Sequence, residues 1–203
     1  MLHALPRLFC LVSTTDDLTL LPALAAAGVD GFQVRDKTAT TRELVVLAAT
    51  VMELVAAYEA CVVVDDRLDV ALAAGAHGVH LGAADLPVAD ARRIADAVAP
   101  GLVIGATCRD RAAVEAAAGA GADYAGFGPV FATSSKSGLP DPLGVDAVTA
   151  ATGVLPLIAI GGISAGVAAA VRAAGAHGVA VIGGLWRQPD PLQAAKELVE
   201  AVG

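Results

Sequence analysis

Three polar side chains alternate at the end of a strand-like run at residues 31–35. Gln33, Arg35 and Lys37 stand two positions apart, and alternation along a strand places all three on one side. Because two of them are cationic, together they could clamp an anion such as a phosphate or diphosphate. The alternative is a solvated strand end with a surface ion pair between Arg35 and Asp36.

Acidic residues stand at the ends of the next two strand-like runs. Asp65 and Asp66 close the third run, and Asp85 follows the fourth. Carboxylates at the ends of neighbouring strands can share one Mg2+ ion, which typically binds one or two carboxylates and substrate phosphate oxygens. Asp66 and Asp85 could each instead cap a following helix. Together with the nearby cations they favour a magnesium site.

Two glycine turns and one polar loop could complete a phosphate site. The glycine pairs at 161–162 and 183–184 follow the last two strand-like runs, and bare backbone amides at such turns bind phosphate. The longest polar segment is 128–138, whose hydroxyls and Lys136 suit a lid that closes over phosphate. Tight turns and a plain flexible loop are the alternatives.

A scaffold for these residues is indicated by a strand-then-helix unit that recurs about every 25 residues. The strand-like runs are continuously apolar, which fits strands that are covered by helices. The stretches 87–98 and 109–121 are two of the predicted helices. Eight units favour an α/β fold, a single-domain (β/α)8 TIM barrel over residues 1–203, with its site at the C-terminal strand ends. An open doubly wound sheet is the alternative, although no GxGxxG follows the first strand. The predicted strands lie near 8–13, 31–35, 60–65, 78–81, 102–106, 124–128, 156–160 and 178–182.

Composition narrows the partners and the compartment. The net charge of −8 argues against nucleic-acid binding. Three scattered cysteines suggest no disulfide framework and fit the cytoplasm. The uncharged stretch 147–171 is long enough to span a membrane, but Pro156 and several glycines predict a strand between two helices instead. The alanine-rich helices are compatible with a homo-oligomer, whose interface the sequence does not locate.

The histidines divide into two groups. His77 and His177 occur in a repeated Gly-Ala-His-Gly phrase before strands, which predicts structural or exposed positions at the end of the barrel opposite the site. His80 lies inside the fourth strand and could face the barrel interior, but we assign it no catalytic role. No Ser-His-Asp or Cys-His arrangement indicates a protein nucleophile.

These motifs together resemble the thiamine-phosphate synthase family, and the resemblance covers essentially the whole chain. Their order and spacing are specific to that family. The motifs are FQVRDK (32–37), VDDRLDVALAAGAHGVHLGAADLP (64–87), GATCRD (105–110), GADYAGFGPVFATSSK (121–136), IAIGGIS (158–164) and GAHGVAVIGG (175–184).

The resemblance implies a (β/α)8 transferase that joins hydroxymethylpyrimidine diphosphate to thiazole phosphate, using Mg2+ and giving thiamine phosphate and pyrophosphate. Its partners would be small phosphorylated molecules, with no nucleic acid and no membrane. By the same resemblance Asp66 and Asp85 bind Mg2+, and Thr107 lies near the pyrimidine. The diphosphate is held by Arg35, Lys37 and Lys136. The thiazole phosphate is bound by Gln33, Thr133 and Ser135 and by backbone amides around Gly162, Ile182 and Gly183.

The chain departs from the family pattern at three places. Asp65 stands where the family has an asparagine that contacts substrate, and Ala83-Ala84 replaces a pair that begins with glutamine. Gly183 stands where a serine is expected. Two rival functions remain: the thiazole tautomerase branch of the same barrel family, and a non-catalytic barrel that binds thiamine precursors.

Overall fold

The computed structural model describes residues 4–133 and 140–203, and these form eight parallel strands closed into a barrel in chain order. Closure is direct, because Cys10 on the first strand pairs with Phe32 on the second and with Val181 on the eighth. The open-sheet alternative is therefore wrong. The strands are β1 Leu8–Val12, β2 Gly31–Val34, β3 Cys61–Asp65, β4 Gly78–Leu81, β5 Val103–Cys108, β6 Tyr124–Phe127, β7 Leu157–Ile160 and β8 Gly178–Val181.

Helices follow the strands and cover the outside of the barrel. Short 3-10 turns at Leu18–Leu20 and Ala56–Tyr58 adjoin the first two α-helices. The stretch 147–171 is divided among the end of one helix, β7 and the start of the next, as predicted. The helices are α1 Leu21–Ala26, α2 Thr41–Val55, α3 Leu68–Ala74, α4 Val88–Val98, α5 Arg111–Gly119, α6 Val145–Ala151, α7 Ala165–Ala173, α8 Gly183–Trp186 and α9 Pro191–Val202.

The strands are apolar throughout because both of their faces are buried. Phe9 and Leu11 of β1 belong to a cluster inside the barrel, whereas Leu8, Cys10 and Val12 pack in the layer between sheet and helices. A side-chain period of two with both faces apolar gives a continuous apolar run rather than an alternating one. This explains why the sequence located all eight strands to within two residues.

The two histidines of the repeated phrase lie at the N-terminal ends of strands, opposite the site, as predicted. His77 precedes β4, and its Nδ1 accepts a hydrogen bond of 2.9 Å from the Val62 amide. His177 precedes β8, with Nε2 2.9 Å from the Leu5 carbonyl oxygen. Both rings therefore tie neighbouring chain segments together at that end of the barrel.

None of the helices in the described ranges is long and apolar enough to cross a membrane. The longest is α2, with 15 residues. Its start is fixed by a capping box, in which the Thr40 side chain accepts from the Glu43 amide and the Glu43 carboxylate accepts from the Thr40 amide.

Gly105 on β5 makes room for a buried tyrosine ring, and we expect Gly105→Ala to destabilise the protein by about 1–3 kcal/mol. A Cβ at this position would lie 2.1 Å from Tyr124 Cζ, and Tyr124 is only 1% exposed. Gly119→Ala is the control, because no atom lies within 4 Å of its Cβ position at the end of α5. Urea unfolding should show a loss for Gly105→Ala only, and equal midpoints for the two variants would contradict the steric argument.

Candidate active site

A cavity of about 450 Å3 opens at the C-terminal ends of the strands. Every strand contributes at least one residue to its lining. This is the end at which barrels of this kind carry their sites. Most residues singled out from the sequence meet there. Those that line the cavity are Gln33, Arg35, Lys37, Asp65, Asp66, Thr107, Thr133, Gly162, Ile182 and Gly183.

Among the described residues, one predicted site residue does not line the cavity. Asp85 lies beside it, where its carboxylate accepts a 2.7 Å hydrogen bond from the amide of Gly82, a lining residue. Ser135 and Lys136 fall outside the described residues. Their expected roles at the tip of the loop after β6 stay predictions.

Asp65 lies at the centre of the polar cluster on β2 and β3. One carboxylate oxygen accepts from Gln33 Nε2 at 2.8 Å, and the other lies 3.2 Å from Arg35 Nε and 3.5 Å from Lys37 Nζ. The Asp65 side chain is only 10% exposed. The cations of the cluster therefore have an internal counter-ion, and Arg35 pairs with Asp65 rather than with its neighbour in sequence.

Asp66 and Asp85 bring two carboxylates to one glycine. A Cβ on Gly82 would lie 2.8 Å from Asp85 Oδ2 and 3.9 Å from Asp66 Oδ1. In the described ranges no group of three or more His, Cys, Asp or Glu residues clusters as metal ligands. Two carboxylates beside an open cavity fit Mg2+, which fills its other positions with water and phosphate oxygens. Lys37 Nζ also contacts Asp66, so a cation already approaches this carboxylate.

The helix-capping alternative for these two aspartates is wrong. The cap position of α3 is Arg67, and that of α4 is Pro87, with no side-chain cap bond at either helix. Asp66 instead adopts a left-handed backbone with φ of 64°, which is uncommon for a residue other than glycine. Such a conformation is tolerated where the surroundings fix it, often at functional sites.

Asp36 holds the loop that carries Arg35 and Lys37. Its carboxylate accepts hydrogen bonds from the amide and hydroxyl of Thr38, at 2.9 and 2.8 Å, and from the amide and hydroxyl of Thr14 across the barrel rim. These hydrogen bonds hold the pKa of Asp36 well below its ordinary value, and the bond from the Thr14 hydroxyl has the largest effect. The loop between the two cations is therefore tied to the loop after β1.

Asp36→Asn should lower the free energy of unfolding by about 1 kcal/mol at pH 7, a small value because the loop is near solvent. A lowered folded-state pKa stabilises the protein above the unfolded value, about 4, and this contribution is lost as the pH falls towards the folded value. The gap between wild type and Asp36→Asn should thus shrink from pH 6 to pH 3 in urea unfolding. A gap that does not change with pH would argue against the assigned bonds.

The turns after β7 and β8 pack closely through their glycines. Gly162 has φ of 67°, and a Cβ there would lie 2.5 Å from the Ala132 carbonyl oxygen. A Cβ on Gly184 would lie 2.2 Å from the Ile163 carbonyl oxygen. A Cβ would clash at either position, so glycine is required at both, and both turns line the cavity. Ser164 also lines it, at the start of α7, and makes no side-chain cap bond.

The cavity is also lined by residues that were assigned no role from the sequence. His80 faces the interior, and burial lowers its pKa below the ordinary value. The nearby charges have smaller effects: the carboxylates of Asp65 and Asp85 raise this pKa, and Lys37 lowers it. Arg187 and Gln188 line the cavity beyond β8. Arg187 could have been found from the sequence, because it is a cation that closely follows the last strand of an acidic chain. Nothing in the sequence distinguished Tyr124 of β6, which also lines the cavity.

Comparison with known proteins places the chain among enzymes of thiamine biosynthesis. It is 47% identical over 191 residues to the thiamine-phosphate synthase of Methanoculleus marisnigri, covering 93% of this chain and 88% of the relative. It is 46% identical over 197 residues to the thiamine biosynthesis bifunctional protein ThiM/ThiE of Symbiobacterium thermophilum, covering 96% of this chain. The match covers only 40% of that bifunctional relative's length.

A solved structure and a family match agree with these relatives. The thiamine phosphate pyrophosphorylase from Pyrococcus furiosus superposes with a TM-score of 0.86 at 33% identity, covering 97% of this chain and 95% of the other. Residues 8–185 match the thiamine monophosphate synthase family. The resemblance seen in the motifs is thereby confirmed, and the chain is a transferase that belongs to the thiamine monophosphate synthase family.

Proposed function

We propose that this enzyme joins hydroxymethylpyrimidine diphosphate to thiazole phosphate in a reaction that requires Mg2+, releasing pyrophosphate. The observation that carries the proposal is that one cavity of about 450 Å3 has two different kinds of lining. On one side lie the cations Arg35 and Lys37, and on the other lie the glycine turns after β7 and β8. Two phosphorylated substrates need two such places.

The first of these places would take the diphosphate. Arg35 and Lys37 would exchange part of their contact with Asp65 for phosphate oxygens, and Lys136 would join them. The pyrophosphate leaves with the electrons of the carbon–oxygen bond, so cations fixed near it lower the barrier. Gln33 donates to Asp65, and this contact would keep Asp65 in place while its cations move.

Asp66 and Asp85 would hold the Mg2+ ion at the edge of the cavity. When bound, the ion would neutralise negative charge on the departing pyrophosphate. The family pattern continues with glutamine after Gly82, where this chain has Ala83. The two carboxylates and the phosphate oxygens are therefore the ligands to expect here, with water completing the shell.

The second place would take the thiazole phosphate. Backbone amides around Gly162, Ile182 and Gly183 bind phosphate without a cation, which suits a protein of net charge −8. Gly183 offers no hydroxyl at this turn. Thr133 lines the same cavity, and Ser135 would approach from the loop after β6.

The reaction itself needs no protein nucleophile. The bond between the pyrimidine methylene and the diphosphate oxygen breaks, and pyrophosphate takes the electron pair. The electron-rich aminopyrimidine carries the positive charge that develops at the methylene. The lone pair of the thiazole nitrogen then forms the new carbon–nitrogen bond. The chain's part is to hold both partners in line and to stabilise the leaving group.

The test is product formation by the purified protein. With both precursors and Mg2+ it should give thiamine phosphate and pyrophosphate in equal amounts, and chelation of the metal should stop the reaction. No product together with an altered thiazole NMR spectrum would favour the tautomerase. Precursor binding that needs no metal and is unaffected by Asp66→Ala or Asp85→Ala, without turnover, would favour the storage barrel.

A further inference from the structure

A third cation lines the cavity, on the side of the glycine turns. Arg187 follows β8, whereas Arg35 and Lys37 follow β2, and β1 stands between these two strands in the barrel. The acidic residues in the described lining, Asp65 and Asp66, are the last residue of β3 and the residue after it. The β8 side therefore contributes positive charge and no carboxylate to the described lining, which favours an anionic ligand there.

The short helix that leads to Arg187 is anchored to the barrel. The Trp186 indole Nε1 donates a 2.7 Å hydrogen bond to the Leu11 carbonyl oxygen on β1. The Gln188 side chain donates from Nε2 to the Gly183 carbonyl oxygen at 3.0 Å. The backbone of Arg187 lies between these two anchored residues, so it is held beside the turn after β8 while its long side chain is exposed at the cavity.

Arg187 stands one helical turn after Gly183. The chain is helical from Gly183 to Trp186, so positions 183 and 187 lie on the same side of this helix. The turn after β8 also packs on the turn after β7, because a Cβ on Gly184 would lie 3.5 Å from the Ser164 Cα. Arg187 therefore neighbours the place where both glycine turns line the cavity.

This cation can supply what the turn after β8 lacks. Gly183 stands where a serine is expected, so the turn has one hydroxyl donor fewer than the family pattern gives it. The guanidinium of an arginine is always charged, and its planar fork of N–H donors matches two oxygens of one phosphate group. A neutral donor at position 183 is thus exchanged for a charged donor one turn further along the chain.

We propose that Arg187 binds the phosphate group of the thiazole substrate and makes this enzyme select the phosphorylated thiazole over the free alcohol. The identity of the substrate rests on the proposed function, whereas the affinity of this end of the cavity for a phosphate does not. Arg187 would hold the end of the substrate that does not react, so the contact is the same before and during the reaction. Its loss should therefore raise KM and leave kcat nearly unchanged.

Binding of inorganic phosphate tests the contact without turnover. Trp186 is the only tryptophan of the chain and adjoins Arg187, so its fluorescence should report binding at this end of the cavity. The dissociation constant for phosphate should rise about 5- to 30-fold in Arg187→Gln and less in Arg187→Lys, which keeps the charge without the fork. The control is Arg93→Gln, because Arg93 is exposed, pairs with Asp90 and does not line the cavity. An unchanged constant in Arg187→Gln, or no phosphate binding by the wild type, would overturn the proposal.

Comparison of two thiazole substrates separates a phosphate contact from a merely structural role. In the coupling assay, KM of Arg187→Gln for the thiazole phosphate should rise about 5- to 30-fold, with kcat and KM for the pyrimidine diphosphate within about twofold of wild type. With the thiazole alcohol, which has no phosphate, wild type and Arg187→Gln should show equal kcat/KM. Equal losses for both thiazoles would mean that Arg187 only supports the fold of the site, and would overturn the proposal.

Failure of the proposed function would give a different result from failure of this contact. A wild type that makes no thiamine phosphate, yet binds inorganic phosphate more tightly than Arg187→Gln does, would refute the coupling reaction and keep the phosphate contact. A wild type that is active, with the same KM for thiazole phosphate as Arg187→Gln, would keep the reaction and overturn the contact. Because Arg187 is exposed, the difference in phosphate affinity between the two proteins should also shrink as NaCl is added.

Discussion

Asp66→Asn should lower kcat/KM for thiamine phosphate formation by about 100- to 1,000-fold, the range seen when a group that stabilises developing charge is removed. The amide keeps the size of the side chain and loses its charge, so Mg2+ would be left with the carboxylate of Asp85. The affinity for Mg2+ in the presence of pyrophosphate should fall with the activity. Asp69→Asn is the matched control, since Asp69 is exposed, pairs with Arg67 and does not line the cavity.

Without Mg2+, the affinity of Asp66→Asn for pyrophosphate should not fall, in contrast to its activity and its affinity for Mg2+. Lys37 Nζ contacts Asp66, so the neutral amide releases part of the hold on that lysine. Without Mg2+, pyrophosphate should therefore bind Asp66→Asn at least as tightly as it binds wild type. If the variant kept Mg2+-dependent turnover, or if it lost pyrophosphate binding equally with and without the metal, the assignment of Asp66 as a metal ligand would be wrong.

The fold could be predicted from the sequence because each strand is apolar on both faces and therefore stands out as a continuous apolar run between the helical stretches. Residues such as Phe9 and Val63 inside the barrel, and Cys10 and Val62 outside it, give runs that no alternating pattern would give. The count of eight then favours closure. Parallel strand ends also share one rim, which is why residues as far apart as 35 and 162 could be expected at one site.

Contacts between side chains could not be predicted in the same way. The sequence showed Arg35 next to Asp36, yet Arg35 pairs with Asp65 and Asp36 bonds to Thr14 and Thr38. Strand register decides these partners, and a shift of one residue would turn each side chain to the other face. The left-handed backbone of Asp66 likewise had no sequence signal, because aspartate tolerates that conformation without requiring it.

The contact between the buried side chains of His80 and Tyr124 is another one that could not be predicted from the sequence. Each residue alone fits a packed strand, and only the glycines on the neighbouring strands give the two rings their space. Those glycines are Gly105 and Gly126, which lie inside predicted strands and had no role assigned from the sequence. A histidine inside an apolar strand becomes informative only when the register shows which residue stands beside it.

Arg35→Met should reduce kcat/KM by about 100-fold or more, because it removes a cation from the leaving group and also leaves Asp65 without its main partner. Asp65 is 10% exposed, and its remaining side-chain partners among the described residues are Gln33 and the more distant Lys37 Nζ at 3.5 Å. The free energy of unfolding should therefore fall as well, by about 1–3 kcal/mol. Arg93→Met, an exposed arginine with a surface partner, is the control and should change neither quantity.

The double variant Arg35→Met/Asp65→Asn separates the two causes. Removing the uncompensated carboxylate should restore most of the lost stability but only part of the activity, since the cation is still missing. Asp65→Asn alone should bind pyrophosphate more tightly than wild type, because Arg35 and Lys37 no longer share their charge with a carboxylate. The measure is the coupling in a double-mutant cycle on both unfolding and pyrophosphate affinity. Strictly additive effects would mean that Asp65 does not act as the counter-ion of this cluster, and that its cations meet the diphosphate unopposed.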